Sequence, residues 1–293
     1  MSKASDFDPE ILKLFDGYVH GKINRRQFLD RAARITASGV AAASLLSSLS
    51  PNYALAQQVD PNDPALQMDY KKYASPKGAG VMQGYYARPA TLDHRLPAVV
   101  VIHENRGLNP YIEDVARRLA VAGFIAFAPD ALFPLGGYPG NDDDGRTMQR
   151  QRDGAEMEED FVAAVGFMAQ HPDCSGKVGS VGFCFGGGMS LKLAVRCPKL
   201  AAAVAFYGRH PSGDDVAAIK APVQLHHGEL DERVNAGWPA FEKAMKAAGT
   251  QYENHMYAAA NHGFHNDTTP RFDADAAKLA WQRTVKFFER NLT

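Results

Sequence analysis

The stretch Gly182-Phe183-Cys184-Phe185-Gly186-Gly187-Gly188 sits where an apolar run, Lys177 to Gly182, gives way to a segment with helical spacing. A cysteine flanked by glycines at a strand-to-helix junction is the G-x-C-x-G form of a nucleophile elbow, with sulfur in place of the serine oxygen. The turn is so tight that a Cβ at either glycine would collide with a neighbouring strand or helix. Such a turn lifts the thiol above a sheet. The helix N-terminus behind it favours the thiolate, which is the reactive form. The competing reading is a packing cysteine beside a glycine-rich helix start.

A nucleophile needs a base and a group that orients the base. Both follow in the chain order that this elbow requires, as Asp231 in His227-Gly228-Glu229-Leu230-Asp231 and His262 in Asn261-His262-Gly263-Phe264. Glu229 and Glu232 compete for the acid role, and His226, His227 and His265 for the base. Asp231 is preferred for its loop position and the shorter reach of aspartate. His227, His262 and His265 could in principle hold zinc, but without a compact H-x-x-x-H or cysteine pair no metal is expected. The segment His103-Glu104-Asn105-Arg106-Gly107 follows another apolar run, and the amides of Asn105 and Phe185 are expected to form an oxyanion hole. No cofactor is called for.

These residues require a scaffold that aims strand ends at one place. From Leu96 onward, short Val/Ala/Phe-rich runs alternate with longer amphipathic segments, the rhythm of a mostly parallel sheet between helices. The pattern predicts strands at Ala98–His103, Ile125–Pro129, Lys177–Gly182, Ala202–Tyr207, Val223–His227 and Glu253–Tyr257. It predicts helices at Pro110–Ala122, Gln149–Gln170, Phe185–Arg196, Gly237–Ala248 and Thr269–Arg290. Gly84–Pro89 reads as an antiparallel edge strand, 57–68 as linker, and 57–83 as linker and lead-in to a domain over 84–293. The loops Phe133–Arg146 and Gly208–Asp215 follow strands, where open α/β sheets place binding sites. Asp142-Asp143-Asp144 lacks calcium-loop spacing and reads as a turn capping the next helix.

The 293 residues, 45% hydrophobic and 22% charged, suffice for one sizeable core. With 32 basic residues against 33 acidic and no basic run, there is no footprint for nucleic acid or anionic lipid. Asn24-Arg25-Arg26-Gln27-Phe28-Leu29 is a twin-arginine pattern, followed by the Ala/Ser-rich stretch Ile35–Leu49 and a small-x-small site, Ala54-Leu55-Ala56. Residues 1–56 therefore read as an export signal served by the twin-arginine machinery, giving a periplasmic or secreted protein. The helical spacing of Ile11, Leu12, Leu14, Phe15 and Tyr18 leaves open that the leader is retained. Its apolar stretch is short for a permanent membrane span. Of the three cysteines, Cys174 and Cys197 should fall at one end of the sheet and could pair, leaving Cys184 as the single thiol.

Taken together, His103-Glu104-x-x-Gly107, Ala128-Pro129-Asp130, Gly176-Lys177-Val178-Gly179, the Cys184 elbow, Phe206-Tyr207-Gly208 and Asn261-His262-Gly263-Phe264 resemble the dienelactone hydrolase (carboxymethylenebutenolidase) family. The resemblance runs from about Gly84 to the C-terminus. It implies an α/β-hydrolase fold, a three-layer sandwich, and a cysteine esterase or lactonase working through an acyl-enzyme. It also implies that Glu104 holds the resting thiol until substrate displaces it. The two arginines with which that family grips a substrate carboxylate are replaced here by Phe133-Pro134 and Asn266, so Arg106 and Arg209 become the candidate carboxylate ligands. The alternatives are a carboxylesterase or thioesterase with another substrate, a thiol-based redox protein, and a binding protein on a hydrolase scaffold.

Overall fold

The computed structural model describes residues 3–36, 39–55 and 57–293. Three helices come first: α1 (Pro9–Val19), α2 (Arg25–Thr36) and α3 (Gly39–Leu49). Then follow β1 (Leu66–Ser75), β2 (Gly80–Pro89), β3 (Leu96–Ile102), α4 (Pro110–Val121), β4 (Ile125–Pro129), α5 (Asp142–Gln151), α6 (Gly154–Ala169), β5 (Cys174–Phe183) and α7 (Phe185–Arg196). The chain ends with β6 (Ala202–Phe206), β7 (Val223–Gly228), α8 (Glu232–Asn235), α9 (Trp238–Ala248), β8 (Tyr252–Tyr257) and α10 (Ala274–Leu292).

Among the described residues the strands form one sheet in the order β1-β2-β4-β3-β5-β6-β7-β8. All neighbours from β4 to β8 pair in parallel, while β2 runs antiparallel to β4 and β1 antiparallel to β2. β4 and β6 are buried along their whole length and β3 beyond its first residue, because helices cover both faces. Ile112, Val115 and Leu119 of α4 share one core with Phe287 and Phe288 of α10. Phe161 and Met168 of α6, Leu191 and Leu193 of α7, and Phe241 and Met245 of α9 share the other. The result is the expected α/β-hydrolase sandwich.

Three expectations need correction. Residues 57–83 are not a lead-in: β1 occupies Leu66–Ser75 and is the true edge, so β2 lies one strand inside. The helix expected over Gln149–Gln170 is two helices. Arg152 is extended, and Asp153 caps α6 by accepting from the amides of Ala155 and Glu156. Cys174 and Cys197 are both free thiols.

The N-terminal segment is folded. Ile11, Phe15, Tyr18, Val19, Ile23, Phe28, Ala32, Leu46 and Leu49 build a small core of their own among α1 to α3. No single helix among the described residues is long and apolar enough to cross a membrane. Ala56, the last residue of the expected cleavage site, lies outside the described residues.

Candidate active site

Cys184 sits between β5 and α7 with φ 56°, ψ −110°, a left-handed backbone that a non-glycine residue holds only when its surroundings impose it. Neighbouring backbone imposes it here. A Cβ on Gly182 would stand 1.9 Å from the Gly186 carbonyl oxygen, and one on Gly186 would stand 2.2 Å from that of Ile102. Both flanking glycines are therefore obligatory, as the sequence indicated. Phe185 opens α7, so its amide is one of the first-turn donors a helix leaves unpartnered. Asn105 follows β3, and both residues line the pocket over the thiol.

Asp231 ends the loop after β7 and caps α8, its Oδ1 accepting from the Val234 amide at 3.2 Å. Its Oδ2 lies 2.5 Å from Nδ1 of His262. This bond leaves Nε2 as the ring nitrogen open to Cys184, with which His262 interacts by charge and side-chain hydrogen bonding. Burial alone would lower the basicity of His262, but the Cys184 charge and Asp231 outweigh it and raise it well above the ordinary range. Burial would likewise raise the Cys184 thiol, and His262 and His20 bring it well below its ordinary value. The two shifts describe a thiolate beside protonated His262, with His20 as a second imidazole neighbour.

The competitors are accounted for. His226 bonds Tyr257 and Gln224, His227 bonds Asn254, and His265 bonds Tyr111, all buried. Glu229 accepts from the Ala259 amide and Glu232 pairs with Lys13 at the surface.

Two expected roles do not match the geometry. Glu104 accepts from Nδ2 of Asn266 at 2.8 Å and pairs with Arg106 at 3.3 Å, whereas the thiol contacts His20. Asn266 is thus a hydrogen-bond donor to that carboxylate. Arg106 is buried between Glu104 and Asp142, so its charge is spent inside the protein rather than offered to a substrate. Arg209 does line the pocket, a cavity of ≈ 320 Å³, together with Lys192 and Arg233. The acidic triplet is not a solvated capping turn: Asn141 is the N-cap, Asp142 to Asp144 form the first turn of α5, and Asp142 is drawn inward by Arg106.

The sequence reading missed His20, having assigned it to an export leader. Its Nε2 is 3.4 Å from Sγ of Cys184, and its ring stands edge-on to that of His262 at 4.7 Å. Sγ and a ring nitrogen from each histidine all lie within 4.8 Å of one another. Nη2 of Arg233, 3.0 Å from Nε2 of His20 and 3.2 Å from Nδ1 of His262, already supplies positive charge there and disfavours a metal ion.

Comparison with known proteins places the chain. Residues 82–292 match the family model described as dienelactone hydrolase family. The chain belongs to the dienelactone hydrolase family. It is a dienelactone-hydrolase-like hydrolase of esters or lactones, related at 31% identity over 71% of its length to a protein of Escherichia coli O157:H7 named as a carboxymethylenebutenolidase, 82% of which is covered. A hydrolase fragment of Escherichia coli K12 is 59% identical over 38% of this chain and 96% of its own. The crystal structure of a protein from Klebsiella pneumoniae described as a dienelactone hydrolase superposes with TM-score 0.67 at 27% identity, covering 76% of this chain and 99% of that one. Outside this family's span, residues 1–35 match a second model, described as YqhI-like.

Proposed function

We propose that this dienelactone hydrolase relative cleaves its ester or lactone by nucleophilic attack of Cys184, through an acyl-enzyme. The observation that carries the reading is the strained elbow, which presents a thiolate beside an imidazole that is held by a carboxylate. Sγ attacks the carbonyl carbon, and its oxygen takes up negative charge facing the amides of Asn105 and Phe185. Each such donor is worth about 3–4 kcal/mol in the transition state. As the tetrahedral adduct collapses, the C–O bond breaks and protonated His262 gives its Nε2 proton to the departing alkoxide. Neutral His262 then takes a proton from water as hydroxide attacks the thioester; the C–S bond breaks, the thiolate returns, and the carboxylic acid product leaves and gives its proton to solvent. Asp231 keeps the His262 tautomer fixed throughout.

Of the cations lining the pocket, Lys192 pairs with Glu158 and Arg233 with Asp16, which leaves Arg209 as the one without a carboxylate partner among the described residues, and it favours substrates bearing a carboxylate near the reacting carbonyl. The test is hydrolysis of paired acidic and neutral lactones and aryl esters, with intact-mass detection of the acylated protein. Cys184→Ala is expected to abolish turnover and acylation while leaving the fold unchanged, with acidic substrates preferred by the parent. Undiminished turnover in Cys184→Ala overturns the mechanism.

A further inference from the structure

The catalytic thiol has a hydrogen-bonding contact with a residue that lies outside the family's matched span. His20 ends α1, and behind it Nδ1 is 3.1 Å from the carboxylate of Asp16 and 2.8 Å from that residue's carbonyl oxygen. Asp16, His20 and Cys184 thus repeat, from the N-terminal helices, the carboxylate–imidazole–sulfur arrangement that Asp231 and His262 make from the sheet. Two carboxylate-backed imidazoles converge on one sulfur.

We infer that His20 is a catalytic residue and that the N-terminal helices are a retained part of the working enzyme, His20 taking the resting thiol's proton while His262 serves the leaving group and water. The inference rests on Cys184 being the nucleophile. In the step, the S–H bond breaks, its electron pair stays on sulfur, and the proton moves to Nε2 of His20, whose Nδ1–H is held by Asp16. The same Nε2 has two neighbours. Deprotonated, it accepts from Arg233; protonated, it donates to the thiolate. His262, protonated between Asp231 and Cys184, carries a separate proton, which goes to the leaving alkoxide and is regained from water.

The surroundings support retention. Arg271 is buried in the loop before α10, and its ion-pair partner is Asp16, at 3.7 Å. Removal of the N-terminal segment would take from that buried guanidinium its direct ion-pair partner among the described residues, leaving only the more distant charges of Glu104 and Cys184, a costly change. Asn105 also donates from Nδ2 to the Val19 carbonyl at 2.8 Å, so the oxyanion loop is tied to α1. Farther on, the Asn52 amide donates to the Thr268 carbonyl at 2.8 Å, and Asn109 donates to the Tyr53 hydroxyl at 3.0 Å.

The charges facing His20 are Asp16 on its own helix, Cys184 on the elbow, His262 beyond β8 and Arg233 on α8, with Arg271 and Glu104 behind them. Burial would lower the basicity of His20, but Cys184 and Asp16 outweigh it and raise it.

The experiment uses the full chain carrying His20→Ala, His20→Gln or Asp16→Asn. It reads the pH profile of Cys184 alkylation by iodoacetamide beside that of kcat/KM, with near-ultraviolet circular dichroism to confirm folding. His20→Ala and His20→Gln are expected to move the acid limb of both profiles up by about one pH unit, tenfold in the thiolate equilibrium. Asp16→Asn should move it less, and added imidazole should restore His20→Ala in part. Acid limbs at the parent position in folded His20→Ala overturn the inference even when Cys184→Ala is inactive. So does enzyme isolated from its native compartment whose intact mass begins at Gln57 and which has full activity.

Discussion

Cys184 combines a strained backbone, 8% exposure and two imidazole neighbours, and its reactivity follows from the balance between them. Burial opposes the charged form, and the adjacent positive charges more than compensate. Because the lowered value belongs to the acid that generates the nucleophile, the reactive form persists as pH falls and is lost only below that depressed value. Alkylation of the native protein should therefore proceed at the thiolate rate well below the ordinary cysteine range of about 8.5. A limb at the ordinary position would contradict the pair. Cys184, Asp231 and His262 were legible because each stands in a short motif whose spacing has a mechanical reason. Glu104 and Arg106 were misassigned because their roles turn on partners far along the chain, Asn266 and Asp142, which no local pattern reveals.

The strands and helices that carry those motifs were readable where burial on both sides leaves an uninterrupted apolar run, as in β3 and β6. β1 was not. Its sequence, LQMDYKKYAS, is polar because it lies at the exposed edge of the sheet, and only its pairing to β2 makes it a strand. The break between α5 and α6 was marked by Asp153, a good N-cap lost inside a longer helical pattern. Among the N-terminal helices Phe28 is wholly buried, stacked edgewise on Phe15 at 6.2 Å. Phe28→Ala should cost this small core about 3–5 kcal/mol. Hydrogen exchange should then show protection lost over α1 to α3 while β3 to β7 keep theirs. Equal loss across the sheet would mean that the helices and the sandwich unfold as one unit.

At the scale of the molecule, the leader's two readings meet in α2. Arg25 and Arg26 are exposed at its start while Phe28 and Ala32 turn inward, so the arginine pair is presentable to an export machinery with the helices docked. Twin-arginine transport carries folded proteins, and the export reading predicts that Arg25→Lys with Arg26→Lys leaves the protein in the cytoplasm on cell fractionation. A periplasmic fraction equal to the parent's would remove the export proposal without touching the chemistry.

The contacts of Asp16 and His20 with Arg233, His262 and Arg271 join the beginning of the chain to its last quarter. A ribosome releases the segment carrying His20 first and the residues that receive it last, at roughly 5–20 residues per second. For seconds the nascent chain therefore holds Cys184 with His20 but without Asp231 and His262, and on the proposed roles hydrolytic activity is expected only once synthesis is complete.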